Sequence, residues 1–239
     1  MIQTLTWDSA FFGLRIGRTD IWEMADWQVL QQDFAAGRFD LLYVFSHIPV
    51  QAPLPQAKRV DTKVIYRKML TTAPAPVDSH VQAFADKVPD EALLRLALVS
   101  GQYSRYRTDG QFPAGSYERL YRRWMENSTN GQLADVVLCY KRGKEKQGVI
   151  TLRLENGVGS IGLIAVDVTE QGRGIGTALI GAAEEWLRKK GAQAFEVITQ
   201  QENASARRFY EKRGFVQVSA TDIYHLWAVS SGHENGEGL

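Results

Sequence analysis

The sequence predicts an α/β fold, and three observations carry that reading. Strand-like and helix-like segments alternate as β-α-β-α-β through residues 161–227, an order that lays helices across a sheet. Within this stretch, residues 174–190 place Ile175, Leu179, Ile180, Ala183 and Leu187 at helical spacing, and Gly191 is a natural C-terminal stop. A glycine-rich turn, Gln171-Gly172-Arg173-Gly174-Ile175-Gly176-Thr177, joins the strand at 161–168 to that helix.

The remaining elements follow in chain order. Residues 14–21 alternate weakly, residues 25–36 carry Trp27, Leu30 and Phe34 at helical spacing, and residues 40–45 form a continuous apolar run suited to a buried strand. Three prolines between 49 and 55 interrupt the pattern before strand-like Val64, Ile65 and Tyr66. Pro74 and Pro76 then mark a boundary near residue 75. Pro89-Asp90-Glu91 opens a helix reaching residue 100, and a second helix spans 116–127. Residues 136–140 and 148–154 read as a hairpin around a charged turn at 141–146; residues 195–199 form a strand, 204–213 a helix, and 215–227 a last strand. The expected organisation is an N-terminal β-α-β-β subdomain over 1–75, a second domain over 76–229, and a mobile, glycine-containing tail over 230–239.

Composition narrows the functional classes. With 239 residues, 44% hydrophobic and 23% charged, the chain can bury a core, and collagen-like, disordered and coiled-coil classes are excluded. Lys+Arg number 28 against 27 Asp+Glu, so charge gives no general attraction to nucleic acid or to an anionic bilayer, and neither is an expected partner. The lone Cys139 forms no intrachain disulfide, and no Cys/His cluster has metal spacing, so no metal is expected. A reducing cytoplasm is the simplest location. No secretory signal follows Met1, and the apolar run 93–99, broken by Arg95, falls far short of the roughly 18 apolar residues of a membrane span.

The turn carries the chemistry. Glycines without Cβ let the backbone approach a ligand, and the unpaired amides of a helix N-terminus favour phosphate, most naturally a pyrophosphate. The spacing is neither the dinucleotide G-x-G-x-x-G nor the triphosphate G-x-x-x-x-G-K-[ST] pattern. Taken alone, the segment also suits a ligand-free tight turn. Together with Ile164-Ala165-Val166 before it and the segment from Asn203 through Phe209-Tyr210-Glu211-Lys212-Arg213-Gly214-Phe215 after it, the turn resembles the GNAT superfamily of N-acetyltransferases. That family's Q/R-x-x-G-x-G/A signature binds the pyrophosphate of acetyl-coenzyme A.

The resemblance implies a GNAT fold, a mixed central sheet flanked by helices, with the N-terminal subdomain resembling a partial GNAT fold. It implies that Gln171, Gly172, Arg173, Gly174, Ile175, Gly176 and Thr177 form the pyrophosphate turn. Ile164 and Val166 would hold the acetyl and pantetheine arm through their backbone, and the Ile164 amide would stabilise the oxyanion. Arg173 either adds charge to the phosphates or is a solvated helix-start arginine. Asn203 bonds the arm, caps its own helix, or does both. Tyr210 follows Asn203 by seven positions, about two helical turns, and by resemblance is the general acid. A phenol with a reference pKa of about 10 stays protonated at neutral pH; packing beside Phe209 is the alternative. No general base is evident, since Glu155 and His47 both read as surface or structural residues, and water can take the amine's proton.

A second set of matches concerns the acceptor. Residues 7–13 (Trp7-Asp8-Ser9-Ala10-Phe11-Phe12-Gly13), Ser104-Arg105-Tyr106-Arg107 and residues 120–127 (Leu120-Tyr121-Arg122-Arg123-Trp124-Met125-Glu126-Asn127) resemble acetyltransferases that act on the 4-amine of dTDP-linked 4-amino-4,6-dideoxy sugars. The implied partner is a nucleotide-sugar acceptor, with acetyl-CoA as co-substrate. Arg105 and Arg107 suit bidentate phosphate contact and Tyr103 and Tyr106 suit stacking, or residues 104–107 are an ordinary polar loop. Residues 7–13 read as a packing element. The competing functions are acetylation of a protein or small-molecule amine, and a non-catalytic acetyl-CoA-binding module. One cofactor site per chain is expected, and a homodimer is plausible by family habit.

Overall fold

The computed structural model describes residues 2–35, 37–49, 54–71 and 77–228, which divide into two units. One comprises Met1–Thr62 with Thr221–Leu239, the other Lys63–Ala220.

The first unit contains β1 (Gln3–Thr4), α1 (Thr6–Phe12), β2 (Ile16–Ile21), α2 (Met24–Ala35), β3 (Leu41–Ser46) and the start of β4 (Ala57–Met69). β2 and β3 run parallel, Ile16 opposite Leu41 and Ile21 opposite Ser46, so α2 is the crossover that a parallel pair requires. Every residue of β3 is buried, as its continuous apolar run demands. Trp27 and Leu30 of α2 join Leu42, Val44, Tyr224 and Leu226 in one core. The short α1 was not evident in the sequence; Gly13, at φ 69°, ends it by donating its N–H to the Ser9 carbonyl. Trp7 stacks on Phe11 but stays half-exposed, so the packing expected of residues 7–13 falls to buried Phe12.

The second unit holds the rest of β4, then β5 (Val81–Ala83), α3 (Glu91–Ser100), α4 (Arg105–Thr108), α5 (Ser116–Thr129), β6 (Val136–Arg142), β7 (Glu145–Glu155), β8 (Val158–Val166), α6 (Ile175–Lys189), β9 (Ala194–Gln200), α7 (Ala204–Lys212) and the start of β10 (Val216–Trp227). Its strands lie in the order β4-β9-β8-β7-β6-β5, antiparallel except for the β8–β9 pair. This is the mixed sheet flanked by helices that the sequence predicts. The β6–β7 hairpin is tighter than the charged turn suggests, because pairing continues to Arg142 opposite Glu145.

Glycines let α6 lie close against the sheet. A Cβ on Gly148 of β7 would stand 2.9 Å from Ile175 Cγ2, and one on Gly159 of β8 only 2.3 Å from Leu187 Cδ2. Leu179 and Leu187 are fully buried in this contact, each contributing about 1.5–3 kcal/mol. α3 begins at Asp90, whose Oδ1 accepts from the Leu93 N–H at 3.1 Å, the acidic helix start read from the sequence.

The expected boundary near residue 75 and the tail at 230–239 lie outside the described residues, but the expected 1–75 subdomain ends earlier, since from Lys63 onward β4 belongs to the second unit. The reading of 76–229 as one domain is corrected at its end: from Thr221 onward β10 belongs to the first unit, where Ile223 pairs with Phe45 of β3. Burial along β10 changes at the same point, from exposed or half-exposed over Val216–Ala220 to mostly buried from Thr221 onward. Among the described residues, no helix is long and apolar enough to cross a membrane.

Candidate active site

The site begins with a change of phase in β8. Up to Ile161 the strand pairs with β7 in one register, opposite Leu152; from Ile164, opposite Ile150, it pairs in another. Gly162 and Leu163 therefore share one partner, Thr151, and form a β-bulge. The bulge leaves the Leu163 N–H without its regular carbonyl, and Thr151 Oγ1 accepts it at 2.8 Å in a buried bond. Because a bulge shifts the side-chain period, core packing passes from Ile161 to Ile164 and Val166.

The new phase also aims the backbone. Asp167 N–H donates to the Gln147 carbonyl, and antiparallel alternation from that pair turns the Ile164 and Val166 N–H groups away from β7. On that side β9 has already departed, since β8–β9 pairing runs only from Val158 opposite Ala194 to Ile161 opposite Val197. The splayed strands open a cavity of about 740 Å³. Ile164 and Val166 thus present an unpaired strand edge to it.

At one end of this cavity, Gly172 and Gly174 adopt φ of 77° and 85°, a left-handed backbone that glycine tolerates. A Cβ on either would meet nothing within 4 Å, so the turn faces open space. Gly174 is the N-cap of α6 and has no side chain to cap it, and the first intrahelical bond is Ala178 N–H to the Gly174 carbonyl. The amides of Ile175, Gly176 and Thr177 consequently remain available for an anion, aided by the helix dipole. Gln171 Nε2 donates to the Val166 carbonyl at 3.3 Å, holding the turn against the end of β8.

α7 supplies the third side. Asn203 Oδ1 accepts from the Ala206 N–H at 3.1 Å as the helix cap, which leaves its amide group able to donate into the cavity. Tyr210 is 4% exposed and packs edge-on against Phe209 and Phe215. Burial raises its phenol above the ordinary value. Next to it, Glu211 Oε1 accepts from the Tyr66 hydroxyl at 2.8 Å, and Arg207 Nε donates to the same hydroxyl at 3.3 Å, so α7 is fastened to β4.

Ile164, Val166, Gln171, Gly172, Gly174, Ile175, Gly176, Thr177, Asn203 and Tyr210 all line this one cavity. Arg173 does not; its guanidinium pairs with Glu170 at 3.2 Å. Ser104, Arg105, Tyr106 and Arg107 are not brought to the lining either. Ser104 caps α4, Arg105 Nη2 donates to the Tyr106 hydroxyl at 2.7 Å, and Arg107 stands over the Tyr117 ring. Their place is taken by Ser100 and Gln102 at the end of α3 and by Tyr121 and Trp124 of α5. The i,i+3 spacing of those two aromatics is visible within residues 120–127 but does not by itself distinguish a cavity wall from core packing. His47 lies in the first unit beside Asp20 at 3.0 Å, and Glu155 pairs with Arg153. Neither lines the cavity, where Glu170 is the one carboxylate among the described residues. No cluster of His, Cys, Asp or Glu among those residues could hold a metal ion.

Comparison with known proteins matches this geometry. The Acetyltransferase (GNAT) family matches residues 100–215, a stretch containing the bulge, the glycine turn and Tyr210. N-alpha-acetyltransferase 30 of Schizosaccharomyces pombe is 30% identical over 117 residues, covering 46% of this chain and 71% of that protein. The chain belongs to the GNAT acetyltransferase family. A longer likeness joins it to dTDP-fucosamine acetyltransferase of Escherichia coli O6:H1, 27% identical over 238 residues, 93% of this chain and 97% of that one. The solved structure of a GCN5-related N-acetyltransferase from Sphaerobacter thermophilus shares the GNAT fold, with a TM-score of 0.56 and 16% identity over 84% of this chain and 67% of its own.

Proposed function

We propose that this GNAT enzyme moves the acetyl group of acetyl-CoA to the amine of a nucleotide-linked amino sugar, a dTDP-4-amino-4,6-dideoxyhexose, by direct attack in a ternary complex in a reducing cytoplasm. The observation that carries the acceptor is the reach of the likeness to dTDP-fucosamine acetyltransferase. It extends over 93% of the chain and so includes the first unit, beyond the 100–215 stretch common to the family.

The cavity fits acetyl-CoA. The uncapped amides of 175–177 beside open space at Gly172 and Gly174 suit the pyrophosphate, and the unpaired edge at Ile164 and Val166 suits an extended pantetheine arm added like a strand. When bound, it supplies an acetyl group activated as a thioester. Ile164 N–H, pointing into the opening, donates to the carbonyl oxygen where negative charge develops. Tyr210, held protonated by burial, gives its phenolic proton to the departing sulfur. The acceptor amine arrives neutral, having lost its ammonium proton to water, since Glu170 is already engaged by Arg173; as its nitrogen bonds the carbonyl carbon and the C–S bond breaks, the proton that nitrogen then sheds passes through water to restore the Tyr210 phenol.

The test is thiol release from acetyl-CoA against dTDP- and UDP-linked amino sugars, with peptides and simple amines as controls. Selective turnover of a dTDP-4-amino-4,6-dideoxy sugar is expected. Turnover of peptides with silence toward every sugar would overturn the acceptor assignment.

A further inference from the structure

The cavity has two chemically different ends. The turn at 171–177 is built from backbone amides, whereas the wall facing the bulge is built from Val99, Ser100, Gln102, Tyr121 and Trp124. That wall carries no charged group. An arm lying along β8 from the phosphates at the turn passes Val166 first and Ile164 next, at about 3.3 Å per residue. Its reactive end therefore arrives beside Gly162 and Leu163, opposite the α5 aromatics.

Trp124 is placed at that point. Its indole Nε1 stands 3.5 Å from where a Cβ on Gly162 would lie, and Gly162 is exposed to the cavity. The ring is set in advance. Tyr121 stacks beside it at 5.7 Å and 28°, and Tyr121 is itself seated on the backbone of Gly101, where a Cβ would come within 2.3 Å of its ring. Tyr117 in turn packs on Tyr121, 5.0 Å away. Among the described residues no hydrogen-bond partner meets the indole N–H. A rigid aromatic face, one free donor and a Gln102 amide lining the same cavity compose a surface for a neutral ring with hydroxyls at its edge.

We infer that Trp124, backed by Tyr121, is the shelf on which the acceptor's hexose ring stacks, with the indole N–H and Gln102 binding its hydroxyl or ring oxygens. This rests on the nucleotide-sugar reading and adds to it the residues that select the sugar. The uncharged wall works against a cationic peptide or polyamine, whose ammonium would need a carboxylate. It favours a deoxy sugar, whose methyl carbon adds apolar area to the stacked face.

The experiment is calorimetric titration of dTDP-4-amino-4,6-dideoxygalactose into the CoA-saturated protein, for wild type, Trp124→Phe, Trp124→Leu and Gln102→Ala, with CoA affinity measured separately. Trp124→Leu is expected to weaken the sugar at least about tenfold, Trp124→Phe and Gln102→Ala about three- to tenfold, with CoA affinity within about twofold of wild type in each. Circular dichroism melts identify any variant that fails to fold, and Trp124→Phe, which keeps an aromatic ring, carries the test in that case. Equal sugar affinity in wild type and in folded Trp124 variants would overturn the shelf while leaving the acceptor class intact. Parallel loss of CoA and sugar binding would instead assign the indole to shaping the bulge. A wild-type protein that binds no nucleotide sugar would overturn the acceptor reading and the shelf together.

Discussion

Replacing Thr151 by valine keeps the shape of the side chain and deletes one acceptor. The Leu163 N–H is buried and its bond to Thr151 Oγ1 is 2.8 Å long, so the variant leaves that amide unsatisfied at a cost of about 1–3 kcal/mol. For a chain of this size each kcal/mol lowers the melting temperature by about 2–4 °C, giving an expected fall of about 2–12 °C. The kinetic effect is larger. The bulge sets the phase of everything C-terminal to it, including the direction of the Ile164 N–H, and loss of a single oxyanion donor costs about a hundred- to thousandfold in kcat. Partial misplacement predicts a kcat reduced about ten- to hundredfold. The pyrophosphate turn lies beyond the bulge and has its own anchor in Gln171, so acetyl-CoA affinity should change less than about threefold. Thr151→Ser retains Oγ1 and should recover most of the rate. Steady-state thiol release, CoA titration and a thermal melt on the three proteins decide the matter. A Thr151→Val enzyme with wild-type kcat would refute the idea that the bulge positions the reacting group.

Further outcomes are expected at three positions. Tyr210→Phe should lower kcat at least about hundredfold with acetyl-CoA affinity nearly unchanged. Because burial raises the phenol, wild-type kcat should show no Tyr210-dependent falling limb up to about pH 10; such a limb at lower pH, absent from the Phe variant, would contradict the general-acid role. Gly174→Val forces a β-branched residue into a backbone at φ 85° and puts side-chain atoms into the open space assigned to the pyrophosphate, and should weaken acetyl-CoA about tenfold or more in an equilibrium titration. Cys139, whose thiol burial pushes up to about 12, should not react with a thiol reagent until the protein unfolds. With a folded pKa above the unfolded one, this thiol's contribution to stability is complete below about pH 9 and is lost as pH rises toward 12. Urea midpoints of wild type and Cys139→Ser across that range would reveal the slope.

The parts of the site legible in the sequence are those written in local grammar. The turn at 171–177, the cap at Asn203 and the helical spacing that leads to Tyr210 each depend on neighbours a few residues away, and all reach one cavity. The bulge was invisible, because glycine and leucine at 162 and 163 satisfy a regular strand as well as a bulged one and the deciding partner, Thr151, sits on another strand. Tyr66 shows in the sequence only as a strand residue, since its bond to Glu211 spans 145 positions. Arg105 and Arg107 drew attention by charge, yet the structure spends them on Tyr106 and Tyr117, while uncharged Gln102 and Trp124 reach the cavity. Charge announces itself in a sequence more loudly than shape does. The same limit applies to β10, whose apolar second half says that it is buried and not which unit it completes.

That divided strand governs the order in which the chain can fold as it is made. The second unit is one uninterrupted stretch, Lys63–Ala220, complete in sequence before the last strand segment is reached. The first unit is started earlier and finished later, because β3, buried along its whole length, receives its antiparallel partner only with Thr221–Trp227. Until then an apolar strand waits with one edge unmet, open to pairing with another nascent chain. A chain truncated after Ala220 would therefore hold the whole of the second unit tethered to a half-sheet with one open edge, and should aggregate where the full chain does not.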